Sequence, residues 1–225
     1  LHRQKPPVIG SNRDSMIVKF VKAMGEQGVE PDLYVSDAYE PVDGECLGIK
    51  IHYLPTYVQK IFWPARFPFT PSLFWALRNN YDIVICSEVF QWSTIISVFA
   101  KLFSFKLKMK IVIWQELATH QILLKGLPSL FFHKFVLKRF LDRHVSCYVP
   151  RSEQAAAFLL KQGISASKIT LPIPHGVDQS VFFNDPTVKK GRCIFSPSRL
   201  VFSKGVDVIL RAFALVCREI DDLEL

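Results

Sequence analysis

Two five-residue runs constrain this chain more than anything else in it. Asp82–Cys86 reads DIVIC and Lys110–Trp114 reads KIVIW. Each is almost wholly apolar instead of alternating, the pattern of a parallel strand buried on both faces. Parallel neighbours cannot be joined by a tight hairpin, so a crossover must separate them, usually a helix. Trp92–Phe105, between the two runs, supplies one. The pair therefore predicts right-handed βαβ units and an α/β fold.

The alternation continues on both sides. Downstream, Pro128–Leu141 reads as a helix and Val145–Val149 as a strand. Ser152 starts a helix through Lys161, with Glu153 in its first turn and Gly163 ending it. Ile169–Ile173 is a last strand. Upstream, Met16, Ile17, Phe20, Val21 and Met24 form one helical face. Ser11 or Asn12 caps that helix, and Gly25 and Gly28 end it. Leu33–Ser36 and Ile49–Leu54 read as strands, with a turn-rich acidic stretch over 37–48 between them. Four prolines (55, 64, 68 and 71) make 55–71 an irregular loop, because proline excludes regular helix and inner strand. A short helix over Pro71–Asn79 follows.

Ligands of such sheets sit at the carboxyl ends of the strands. That rule selects Ser87 and Glu88, Gln115 and Glu116, and Arg151 and Ser152. Glu116 is an acid in a basic stretch, and it reads either as a ligand contact or as the partner of a nearby lysine. His120, four residues on, reads as a plain loop histidine or as a second contact.

At 49% hydrophobic and 21% charged residues, the chain is expected to fold. Its 225 residues suffice for one large domain and part of another. Five dispersed cysteines without a CxxC pair suggest a reducing compartment. Cys86, Cys147 and Cys193 fall in predicted strands, where small apolar packing is their expected role. The net charge of +8 is concentrated: residues 101–143 hold nine Lys or Arg against Glu116 and Asp142. That stretch is also rich in Phe and Leu, which suits an anionic membrane face better than nucleic acid. On 128–143, a crossover helix with a solvated basic side and a membrane-docking helix both fit the pattern. No apolar run reaches the roughly 20 residues of a membrane span. Dinucleotide, P-loop, nucleophile-elbow and zincin signatures are absent, and the six histidines lack metal-ligand spacing.

Near the end, Ile194–Val216 reads IFSPSRLVFSKGVDVILRAFALV. Cys193, Ile194 and Phe195 suggest a strand, and Val206, Ile209, Leu210, Phe213 and Val216 form one face of a helix. Arg199 and Lys204 lie between, with Gly205 after the lysine. They are either solvated loop charges or an anion site, since a helix N-terminus adds backbone N–H groups and its dipole.

The run SRLVFSKGVDVILRAFALV resembles the start of the C-terminal domain in retaining glycosyltransferases of family 4, which have the GT-B fold. That family shows Gly-Arg, then Lys-Gly, then an amphipathic helix ending in Ala-Phe. ITLPIPHGVDQSVF, Ile169–Phe182, is similar to its interdomain segment, in the same order and at the usual separation. Ser198 stands where the family usually has Gly, and His175 where it usually has Asn.

The resemblance implies an α/β architecture of GT-B type. A Rossmann-like parallel-sheet domain over 1–174 would be followed by an interdomain segment over 175–190 and the start of a second Rossmann-like domain over 191–225. It implies metal-independent transfer of a sugar from a nucleotide-sugar, with retention, to a glycan or lipid-linked acceptor. No cofactor is implied. Arg199 and Lys204 would neutralise the departing diphosphate, with Gly205, Gly10 and Ser11 also on the donor side. Glu116, His120 and Glu88 would lie on the acceptor side. It further implies a first strand before Leu1 and a donor-holding Glu-x7-Glu pair after Leu225, so this chain by itself is expected to be inactive. The expected location is cytoplasmic, peripheral at the inner face of a membrane. A non-catalytic membrane-surface module keeping the same fold is the alternative, and an enzyme using phosphate as co-substrate is a further one.

Overall fold

The computed structural model describes residues 16–37, 49–58, 68–78, 81–89, 91–103, 109–118, 141–177, 179, 183–187, 191, 193–196, 198, 204–220 and 224. The chain divides into two compact units, Leu1–His175 and Gly176–Leu225.

In the first unit the elements run α1 (Met16–Glu26), β1 (Leu33–Ser36), β2 (Ile51–Leu54), α2 (Leu73–Ala76), β3 (Ile83–Ser87), α3 (Trp92–Phe103), β4 (Lys110–Gln115), α4 (Asp142–His144), β5 (Cys147–Pro150) and α5 (Glu153–Lys161). β1 and β2 pair in parallel, as do β3, β4 and β5 in that order. The α/β class with parallel sheets expected from DIVIC and KIVIW is what forms. Register aligns Ser87 with Trp114 and Gln115 with Pro150, so these strands end at one level.

The main core lies around β4. Ile111, Ile113 and Tyr148 are fully enclosed with Val98 of α3 and Phe158 and Leu159 of α5. β3 departs from expectation. Cys86 is buried, but Ile83 and Ile85 are exposed, so one face of DIVIC is open. β3 is an outer strand of its sheet and β4 the inner one, and the two similar sequences differ in burial. The segment after α5 makes a single bridge, Ile169 to Tyr148, and lies along β5 through Thr170 N–H and Ile173 N–H donating to the Tyr148 and Pro150 carbonyls.

α1 buries part of the expected face, with Val21 inside and Phe20 and Met24 half-buried, but the stripe is shifted to include Val18. Val18 and Val21 pack with Leu33, while Met16 and Ile17 are exposed. Its apolar residues extend around more than one face, and the partner strand chose between them. α5 begins as expected: the Ser152 hydroxyl accepts from Ala155 N–H at 3.1 Å, and Gly163 at φ 82° follows the helix. α2 is one turn long, shorter than the Pro71–Asn79 reading. The expected helix over Pro128–Leu141 lies outside the described residues apart from Leu141.

In the second unit, α6 spans Val206–Val216. The expected strand at 193–195 is a single parallel bridge between Cys193 and Glu224. Cys193 is exposed and Cys147 half-buried, so of the three cysteines expected to pack inside, Cys86 alone is buried. On α6, Val206, Ile209 and Phe213 are half-buried, whereas Leu210 and Val216 of the expected face are exposed.

Candidate functional site

The carboxyl ends of β3, β4 and β5 converge on one polar cluster. It begins with Glu88, one residue beyond β3. Its N–H donates to the Trp114 carbonyl at 2.9 Å, and its φ is 63°, a left-handed conformation that a non-glycine residue adopts at a cost. Thr94 Oγ donates to the Glu88 carbonyl at 2.6 Å and holds that turn. The Glu88 side chain thereby enters the protein, and the residue is 5% exposed.

The Glu88 carboxylate clasps the loop after β4. One oxygen accepts from Glu116 N–H at 2.9 Å and Leu117 N–H at 3.1 Å; the other accepts from Gln115 Nε2 at 2.5 Å. Gln115, itself buried, accepts from Val89 N–H at 3.0 Å and donates to the Leu117 carbonyl at 2.8 Å. Burial pushes the Glu88 carboxyl up to about 7. The two backbone N–H donors act in the opposite direction, and the nearby Glu116 charge adds to the rise.

A second chain of contacts runs from inside to solvent. Arg151, one residue past β5, is buried, with its guanidinium 4.1 Å from the Trp114 ring centroid. Phe20 of α1 meets the same ring edge-on at 4.6 Å. Arg151 Nη2 donates to His175 Nδ1. Arginine has no acceptor, so His175 Nδ1 receives and Nε2 carries the hydrogen. That Nε2 lies 3.2 Å from Glu116 Oε1. The Glu116 side chain is 59% exposed. The cluster thus offers solvent an oriented carboxylate backed by an imidazole and a stacked guanidinium. This suits hydrogen bonding to hydroxyl or amine groups.

Beside it, the ends of β1 and β2 are also polar inside. Asp37 Oδ1 accepts from Thr56 N–H at 3.0 Å, and the Ser36 and Thr56 hydroxyls are 2.6 Å apart. The sequence reading did not select Ser36, Asp37 or Thr56, although the strand-end rule that selected Glu88 applies equally to residues closing β1 and β2.

In the second unit, Lys204 is exposed and Gly205 opens α6 at φ 64°. Gly205's carbonyl accepts from Val208 N–H at 3.0 Å and Ile209 N–H at 3.1 Å. Asp207 lies in the first turn, 3.9 Å from Arg211. Ser198 is exposed. Of the expected site residues, Glu88 and Glu116 come together, and Lys204 and Gly205 adjoin. Gly10, Ser11, His120 and Arg199 lie outside the described residues. Among the described residues no group of three or more His, Cys, Asp or Glu is placed to hold a metal ion, and no helix is long and apolar enough to cross a membrane.

No protein-family model matches the chain, and no curated protein matches it. Among solved structures it is similar to Anabaena HepE, crystallised in complex with UDP-glucose, with a TM-score of 0.47 at 12% identity. The match covers 83% of this chain and 45% of that one, so the chain spans under half the length of the protein it matches.

Proposed function

We propose that this chain is part of a GT-B glycosyltransferase of family 4 type. It moves a sugar from a nucleotide-sugar to a hydroxyl of a lipid-linked or cell-envelope glycan acceptor, with retention and without a metal. The reading rests most on how α6 opens. Lys204 precedes a glycine at φ 64°, and the helix N-terminus follows directly, as the resembled Lys-Gly element requires for an anion to approach backbone N–H groups. Breaking the anomeric bond leaves charge on a diphosphate, and Lys204 with Arg199 neutralises it. Gly205, Gly10 and Ser11 are assigned to the donor side.

On the acceptor side, Glu116 receives acceptor hydroxyls, with His120 as a neighbouring contact. Glu88 acts one step back: its oxygens are engaged by Gln115, Glu116 and Leu117, so it positions the loop that carries Glu116.

Titration of uridine and guanosine diphosphates and their sugar conjugates tests the donor side, in this chain and in any longer protein that contains it. Binding that weakens with Arg199→Ala or Lys204→Ala is expected. Where turnover is measured, Arg199→Ala should lose on the order of 2–4 kcal/mol of transition-state stabilisation. Unchanged kcat in that variant removes Arg199 from the mechanism. Absence of nucleotide binding in the longer protein overturns the reading.

A further inference from the structure

The segment that follows α5 delivers an imidazole to the carboxyl end of the sheet. Ile169 bridges to Tyr148, and Ile173 N–H donates to the Pro150 carbonyl at 2.9 Å. Pro172 and Pro174 flank Ile173, so the backbone there is stiff and biased to extended conformation. His175 comes next and meets Arg151, which follows Pro150 directly. Chain stiffness and a backbone hydrogen bond therefore place this histidine.

Both nitrogens of the ring are engaged. Nδ1 accepts from Arg151 Nη2, and Nε2 lies 3.2 Å from Glu116 Oε1. Arg151 Nε is buried and unpartnered, so the hydrogen bond from Nη2 counts for more in a buried cation. A side chain in this place must accept at one end and donate at the other. A neutral imidazole does both; an imidazolium has no lone pair left for Arg151. Protonation also turns the Glu116 contact into an ion pair, which occupies the carboxylate that a ligand hydroxyl would use. A carboxamide offers the same acceptor and donor without titrating. Among the described residues, the charged or titratable groups around the ring are Arg151 beyond β5, Glu116 beyond β4 and, through Glu116 N–H, Glu88 beyond β3.

We propose that His175 is a positioning residue: anchored by Arg151, it orients the Glu116 carboxylate toward a ligand hydroxyl, and protonation of its ring releases that hold. The proposal rests on the assignment of Glu116 to acceptor hydroxyls made above. It makes the acceptor side sensitive to acid over the range in which histidines titrate.

The test is a ligand-observed NMR titration of this chain with methyl glucoside, a soluble hydroxyl probe, at about pH 8 and about pH 5. Binding is expected at the higher pH and should weaken several-fold at the lower one. His175→Phe should weaken it roughly five- to tenfold at the higher pH. His175→Asn should recover most of that loss and remove the response to acid. The imidazole nitrogen shifts of His175 should show hydrogen on Nε2 at the higher pH. Circular dichroism establishes that each variant is folded; if His175→Phe does not fold, His175→Asn and the nitrogen shifts decide. Hydrogen on Nδ1 overturns the proposal, as does a chain that does not bind the glucoside. Weakening by acid that persists undiminished in His175→Asn also overturns it, and Glu88, which burial raises to about 7, is then the source. Uridine diphosphate binding by a longer protein containing this chain reads the sugar-transfer assignment separately. If that binding is found without the His175 pattern, the proposal alone fails. If the pattern is found without nucleotide binding, the sugar-transfer assignment alone fails.

Discussion

The carboxyl and amino ends of the parallel strands in the Leu1–His175 unit both carry hydrogen-bonded polar groups, but these groups solve different problems. At the carboxyl end, ionisable groups are buried: Asp37, Glu88 and Arg151 all lie inside. Each is held by backbone N–H groups or neighbouring side chains, and one of them needs a strained backbone to get there. At the amino end, Asp32 lies at the half-exposed edge. It accepts from Tyr81 Oη at 2.7 Å and contacts His52 Nε2 at 3.1 Å, while the Tyr34 and Tyr81 hydroxyls meet at 2.6 Å. These contacts hold the Asp32 carboxyl below its usual range, first through the Tyr81 hydrogen bond and then through His52. The amino-end group joins the two sheets and gains from its charge. At the carboxyl end, charge is costly to keep, and its effect is to orient a loop. Burial of ionisable groups at strand ends is a common mark of sites that bind something.

The comparison breaks first at Glu88. Glu88→Ala strips the acceptor from three donors, two of them backbone, and should cost about 2–4 kcal/mol in urea denaturation. A loss no greater than that of a surface substitution would mean the clasp is not stabilising.

The pH dependence sharpens the contrast. Because burial raises the Glu88 carboxyl to about 7, its neutral form is the favoured buried one. Its contribution to stability is complete below about pH 4.5 and is lost as pH rises through about 7, a change of about 3 kcal/mol. Glu88→Gln should flatten the stability profile over that window. Asp32 works in the opposite sense: with its carboxyl lowered, its contribution is present above the unfolded value and lost as pH falls. A profile equally steep with and without Glu88 would remove this residue as the source.

The smallest effect is expected at the amino end. Tyr81→Phe removes one hydroxyl from a half-exposed network and should cost about 1 kcal/mol in urea denaturation. A cost equal to that of Glu88→Ala would erase the distinction between the two ends.

Residue type and spacing determined much of this molecule. Runs of β-branched residues produced β3 and β4, because an extended backbone with apolar side chains on both faces has few other stable environments. Ser152 and Gly163 bounded α5, because cap chemistry is satisfied within three or four residues. Position at a strand end was enough to select Glu88, Gln115, Glu116 and Arg151. Tertiary structure decided the rest. His175 lies 24 residues from Arg151 and 59 from Glu116, so no local pattern could disclose that it bridges them. The buried stripe of α1, the open face of β3 and the inward turn of Glu88 also depended on neighbours distant in sequence. Hydrogen-bond and packing partners that meet only after folding leave no periodic trace, whereas caps, turns and apolar runs are local and do.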